Sequence, residues 1–257
     1  MKKHKDPKNP NGYRGITVLV TLEKIFEKIW LIKCKPSLDR KQNPMQRGFT
    51  ENTSCINTGL LVSEYKNESK ANKTPVFMVT LDGQRAFDNV WTKSMLRKVF
   101  FSDIPYEFWQ TLSMLCSNAT TRVKWKQELS ESFPLYQGVR QGGILSSHLY
   151  KQFNNDLLDT LQNQDIGANI GHIKIPAPTC ADDICCLADN PLDLQTCLYI
   201  VEQFVNKERF KINGSKSDII RCNTTNVELT CWEICGEKIE EKEETTHLGI
   251  TRRNNKY

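Results

Sequence analysis

The chain has 257 residues, 39% of them apolar and 25% charged, and its 35 Lys and Arg against 30 Asp and Glu leave a net charge of +5. That length and balance suit a globular chain with a sizeable core. They exclude a membrane span, since no stretch of about 18 apolar residues occurs, and the mild positive surplus does not by itself establish a nucleic-acid partner.

The start, Met1-Lys2-Lys3-His4-Lys5-Asp6-Pro7, is basic but has no apolar segment after it, so it is not a secretory signal. An intracellular protein is expected, with nucleus and cytoplasm both left open. The ten cysteines have no framework spacing and lie mostly in apolar runs, which predicts reduced, buried thiols. Cys231 and Cys235 with His247 offer three zinc-type ligands but no evident fourth.

In chain order, a turn at Asn9–Gly12 precedes an extended piece, Tyr13 to Val18. Leu22, Ile25, Phe26, Ile29, Trp30 and Ile32 then mark the core face of a helix beginning near Thr21, with Lys24, Glu27 and Lys28 on its other face. After the loop at Lys41–Pro44 and the stretch Gln46-Arg47-Gly48-Phe49, a second helix carries Cys55, Ile56, Leu60, Leu61 and Val62. Residues 66–74 read as a solvated polar connection. Pro75 to Asp82 is a nearly continuous apolar run ending in an acid, the pattern of a buried central strand. Asp82 thus stands at the carboxyl end of a strand, where ligands gather in open α/β sheets. Gly83–Val90 reads as a tight turn into a helix with Asp88 as its cap.

Two helices split by Ile104-Pro105 follow. Thr121-Arg122-Val123-Lys124-Trp125 alternates as a strand, either exposed or lining a nucleic-acid channel. Gln137-Gly138-Val139-Arg140-Gln141-Gly142-Gly143 leaves backbone bare for close approach and opens a helix through Leu149, Tyr150, Phe153 and Leu157. Arg140 and Gln141 at that helix start are placed to meet a phosphate or base. Ile173 to Cys180 and Ile184 to Ala188 are extended pieces joined by Ala181-Asp182-Asp183, a hairpin with adjacent acids at its tip. Adjacent carboxylates repel, so such a tip favours either a bound cation or plain solvation. An amphipathic helix over Leu192–Phe210, a lysine turn over Lys211–Ser217, a strand over Asp218–Cys222 and short strand-like pieces to Ile250 complete the order.

Taken together, these segments resemble the reverse transcriptase domain of non-LTR (LINE-type) retrotransposons over almost the whole chain. The residues that carry the likeness are Tyr13-Arg14-Gly15-Ile16, Gln46-Arg47-Gly48-Phe49, Leu81-Asp82 with Ala86-Phe87-Asp88, and Gly138-Val139-Arg140-Gln141-Gly142. Ala181-Asp182-Asp183, Asn213 with Lys216-Ser217, and His247-Leu248-Gly249 continue the series in the family's order. The resemblance implies an α+β fold of fingers and palm, with an antiparallel palm sheet backed by helices. Residues 1–75 would be mainly fingers and 76–257 mainly palm, with a fingers insertion near 117–135 and the thumb missing.

It also implies RNA-directed DNA synthesis by two-metal nucleotidyl transfer, with an RNA template, a DNA primer and dNTPs as partners. Two Mg²⁺, or Mn²⁺, would be held by Asp82, Asp182, Asp183 and the Gly83 carbonyl, about 3.5–4 Å apart. By the same likeness Arg14 meets the triphosphate, Phe87 excludes a 2′-hydroxyl, and Gln141 and Gly142 contact the templating pair. Lys216 assists the leaving pyrophosphate, and His247, Leu248 and Gly249 grip the primer. Departures are Cys180 where the family has an aromatic, Ser147 where it has a proline, and Gly15 within the fingers motif. With the short length, they support a second reading, a truncated and non-catalytic copy that only binds nucleic acid. A metal nuclease using the same acids would leave the glycine-rich and lysine motifs unexplained.

Overall fold

The central strand and its two antiparallel neighbours organise the chain, as seen in a computed structural model that describes residues 13–224 and 231–254. In chain order the elements are α1 (Thr21–Arg40), α2 (Cys55–Asn72), β1 (Val76–Asp82), α3 (Thr92–Phe100) and α4 (Tyr106–Ser117). Four short strands follow, β2 (Thr120–Thr121), β3 (Lys124–Trp125), β4 (Glu128–Leu129) and β5 (Phe133–Pro134). Then come α5 (Ser146–Asn163), β6 (Asn169–Ile170), β7 (Ile173–Lys174), β8 (Thr179–Cys180), β9 (Asp183–Ala188) and α6 (Pro191–Glu208). After a 3-10 turn at Gly214–Lys216 the chain forms β10 (Asp218–Cys222), β11 (Glu233–Ile234), β12 (Glu237–Lys238), β13 (Glu240–Glu241), β14 (Glu244–His247) and β15 (Ile250–Arg253).

The main sheet has the order β13-β10-β1-β9-β8. Strand β1 is central, as its apolar run predicts, and pairs antiparallel with both β9 and β10, whereas β13 joins the β10 edge in parallel, so the sheet is mixed rather than wholly antiparallel. Val76 to Val79 and Leu81 are buried, as are Ile184 to Ala188, because helices cover both faces. On one face α6 meets β9, where Cys186 and Cys197 are both fully buried. On the other, Tyr65 of α2 reaches Asp189 just past β9.

Helix boundaries follow local chemistry where caps exist. Ser54 Oγ accepts from the Asn57 N–H at the start of α2, and Asn190 Oδ1 accepts from the Asp193 N–H with Pro191 opening α6. Two expected boundaries are corrected. Residues 66–72 are not a loop: α2 continues to Asn72, burying Tyr65 and Ser69 on one side while its charged residues face water. The turn after β1 does not enter a helix directly, and Asp88 caps nothing. Its N–H donates to the Arg85 carbonyl, and α3 starts only after Trp91.

Helix α1 departs most from its periodicity. Trp30, Leu31, Cys34 and Leu38 are buried with Glu27, while Leu22, Ile25, Ile29 and Ile32 of the predicted core face stand exposed. The helix is apolar on two sides, and spacing alone cannot choose between them. Glu27, read as a surface residue, points inward for a reason found in the site.

A buried charge joins α3, α5 and α6. Lys98 Nζ donates to the Phe153 carbonyl at 2.7 Å, pairs with Glu208 at 3.1 Å, and sits 4.8 Å from the Phe153 and Phe204 ring centres. Glu208 is 1% exposed, so removing its cation leaves a carboxylate with no solvent to turn to. Lys98→Ala is therefore expected to cost about 3–5 kcal/mol in denaturant unfolding. Lys98→Met combined with Glu208→Leu should recover most of that loss. A single variant as stable as the parent would show that the pair is not desolvated.

Candidate active site

Strand register brings the acids together. Asp82 and Asp183 are cross-strand partners at the open ends of β1 and β9, and Cys180 faces Asp183 across β8 and β9. Asp182 therefore lies in a two-residue turn whose first residue, Ala181, has a left-handed φ of +60°. The packed surroundings and then the Asp182 and Asp82 carboxylates push the Asp183 carboxyl up to about 6. Burial also raises Asp182, with the Asp82 charge adding to it and Arg14 opposing it.

The turn is clamped by a segment to which sequence reasoning gave no role of its own. The Gln46 Oε1 accepts from the Ala181 N–H at 2.8 Å, and its Nε2 donates to the Ala181 carbonyl at 3.0 Å. Gln46 is 1% exposed. Gly48 lies so close that a Cβ there would sit 2.0 Å from the Ala181 nitrogen. The Gln46-Arg47-Gly48-Phe49 motif was the available signal, but its target lies in a turn 135 residues away.

A second clamp holds Asp82. Its carbonyl accepts from the Asn213 N–H at 2.8 Å, and its N–H donates to Ser217 Oγ at 3.3 Å. The same turn presents Lys216 Nζ 3.5 Å from Asp82 Oδ2. Gly83 is pressed against Phe210, whose ring a Cβ would meet at 2.8 Å. The lysine motif read from sequence is thus a bracket for the central acid.

The glycine-rich loop braces the turn after β1. The Gly138 and Val139 N–H groups donate to the Val90 and Phe87 carbonyls, both at 2.8 Å. Phe87 stacks on buried Tyr150 with ring centres 4.8 Å apart, and Phe49 meets it edge-on at 5.9 Å. The Thr17 N–H donates to the Gln141 carbonyl, and Gly142, at φ +116°, leaves 2.7 Å between a notional Cβ and the Thr17 oxygen. That docking carries the extended segment toward the acids, so Arg14 bears on Asp182.

The start of α5 is not the open anion site that the glycines suggested. Glu27 of α1 accepts from the Ile144 N–H at 2.6 Å and the Leu145 N–H at 3.3 Å, placing a carboxylate where a phosphate would bind. Arg140 is paired with Glu23 of the same helix. Of that motif Gln137 and Gly142 are exposed and Gln141 is half-buried.

His247, Leu248 and Gly249 close the β14–β15 hairpin, whose Ile250 packs on Gly59 in the first turns of α2. The imidazole is buried with both nitrogens lacking a hydrogen-bond partner, and burial with the nearby Arg252 charge lowers its pKa to about 4. Protonation is thus disfavoured in the folded state. The stability held with neutral His247 above pH 6.5 is lost as pH falls toward 4, by about 3 kcal/mol. His247→Leu should flatten that acid limb of the melting profile; an unchanged limb would assign it to other groups.

Chemically, the cluster offers hard oxygen donors crowded by like charge, which suits a cation such as Mg²⁺. Among the described residues, no three His, Cys, Asp or Glu side chains gather closely enough to ligate an ion as they stand, and Asp82 faces Lys216. The Cys231, Cys235 and His247 grouping likewise forms no ligand set, since His247 is enclosed in its own hairpin. No helix among the described residues is long and apolar enough to cross a membrane.

The Pol polyprotein of the type-1 retrotransposable element R2 of Popillia japonica is 28% identical over 214 residues, covering 82% of this chain and 30% of the relative. The probable RNA-directed DNA polymerase of the Drosophila melanogaster transposon BS is 24% identical, over 97% of this chain and 28% of its own length. The chain thus spans less than a third of these relatives. Apo telomerase from Candida tropicalis shares the fold with a TM-score of 0.59 at 14% identity, over 88% of this chain and 38% of that one. The family profile described as reverse transcriptase (RNA-dependent DNA polymerase) matches residues 2–252. With acids, glycine-rich loop and lysine turn converging at one sheet end within that match, the chain belongs to the reverse transcriptase family.

Proposed function

We propose that this chain carries out RNA-directed DNA synthesis, joining dNTPs to a primer 3′-OH on an RNA template, with Asp82, Asp182 and Asp183 as catalytic acids. The observation that carries the reading is the Asp82–Asp183 register, with Asp182 in the turn between β8 and β9 and Lys216 beside Asp82. Asp82, Asp182, Asp183 and the Gly83 carbonyl would hold two Mg²⁺ ions, or Mn²⁺. Such ions, when bound, neutralise the triphosphate and favour ionisation of the attacking hydroxyl.

The chain's own residues supply position and exclusion. Arg14, held over the acids by the docked Thr17 segment, meets the triphosphate. Phe87, braced from behind by Tyr150, closes the space a 2′-hydroxyl would need. Gln141 and Gly142 contact the templating pair. Lys216 releases Asp82 and assists the leaving pyrophosphate. In the primer grip, buried His247 supports while the Leu248-Gly249 tip makes the contact. Residues 1–75 serve as fingers and 76–257 as palm, with the short strands near 117–135 as an inserted fingers element.

Primer extension by purified protein on an RNA template, with Mg²⁺ or Mn²⁺ and four dNTPs, tests the proposal. Extension is expected. A folded protein that extends nothing with either ion would overturn it in favour of a non-catalytic family member. Phe87→Ala, which opens the space above Tyr150, should raise ribonucleotide incorporation about 10-fold or more relative to dNTPs. Unchanged sugar selectivity would remove Phe87 from that role.

A further inference from the structure

The acidic turn has a feature that the polymerase reading does not use. Cys180, the residue paired across the hairpin with Asp183, lies with its Sγ 2.9 Å from the Sγ of Cys55. Cys55 is the first residue of α2 and is exposed, whereas Cys180 is buried. Both are free thiols. The pair therefore has one sulfur open to a solvent-borne oxidant and a second already in contact to resolve it. Cys186 and Cys197 also touch, but both are fully buried, so no oxidant reaches them in the folded chain.

We propose that Cys55 and Cys180 are a modification site, a dithiol that hydroperoxides close to a disulfide and that thereby locks the acidic turn onto α2. The Cys55 sulfur takes one oxygen from the hydroperoxide, which leaves as water or an alcohol, and becomes a sulfenic acid. The Cys180 sulfur then attacks Cys55, the S–O bond breaks, and the departing hydroxide takes the Cys180 proton as water. Two thiols lose two electrons and two protons, and the peroxide is reduced. A dithiol reductant reverses the step by exchange. The sulfurs must close by roughly 0.9 Å to reach bonding distance. Because Cys180 faces Asp183 and precedes the clamped Ala181, the bond ties the base of the turn to a helix covalently. It does not depend on the polymerase reading.

The test treats the full chain with equimolar hydrogen peroxide, maps disulfides by mass spectrometry, and follows amide hydrogen exchange at Ala181–Asp183. Expected is a Cys55–Cys180 cross-link as the first product, with exchange across the turn slowed at least ~10-fold. Dithiothreitol should restore the original rate, and Cys55→Ser, at an exposed helix start that tolerates serine, should show neither change. A first cross-link elsewhere, oxidation of Cys55 without a cross-link, or a cross-link that leaves exchange unaltered would each overturn the proposal. Primer extension run on the reduced protein decides the polymerase reading separately, since neither the mapping nor the exchange requires turnover.

Discussion

Primer extension by Asp182→Asn is expected to fall at least ~10³-fold, below detection in a standard assay, because a positioned charge at the reacting phosphate has no neutral substitute. The same change should leave thermal stability unchanged or slightly raised in a chelating buffer. Burial and Asp82 already hold the Asp182 carboxyl above its usual range, so the folded protein loses an unfavourable charge when it becomes an amide. Activity and stability thus move in different directions, the mark of a residue kept for chemistry rather than packing. Extension near the parental rate would take Asp182 out of the catalytic set. A large fall in melting temperature would show that its role is structural.

The second large effect is at Gly48. A Cβ at this position would lie 2.0 Å from the Ala181 nitrogen and 2.6 Å from its Cα, both backbone atoms fixed by Gln46 and by the β8–β9 pairing. The clash has no flexible side chain to absorb it. Gly48→Ala is expected to cost about 3 kcal/mol, at the upper end of ordinary overpacking. In a chain of this size that is roughly 6–12 °C in melting temperature. Extension should be lost with it, since the displaced turn carries Asp182 and Asp183. Gly15→Ala is the control, because nothing lies within 4 Å of its notional Cβ, and it should melt with the parent. Equal behaviour of the two variants would mean that the turn yields freely.

The structural consequence of these two sites was unequally legible beforehand. Asp82 and the Asp182–Asp183 turn stood out because strands that alternate or run apolar end visibly at charged residues. The lysine turn and the glycine-rich loop were equally plain, since glycines and lysines punctuate otherwise apolar segments. Glu27 was read as a surface residue, yet it caps the start of α5 from a helix over a hundred residues away in sequence. Arg140, read as free to meet a phosphate, is paired with Glu23. Both errors have one cause: a charge pattern records which groups exist, and only packing shows which of them are already satisfied.

The sequence alone determined the central buried strand, the order of helices and strands around it, the three acids and the family. Each depends on short-range periodicity or on a motif contiguous in the chain. Tertiary structure alone decided which side of α1 is buried, since both sides are apolar and the choice lies with α4 and α5. It alone paired Gln46 and Gly48 with Ala181, bracketed Asp82 with Asn213 and Ser217, and set Cys55 against Cys180. These contacts join residues far apart in the chain, where chain closure and mutual packing select the partner and local propensity carries no information about it.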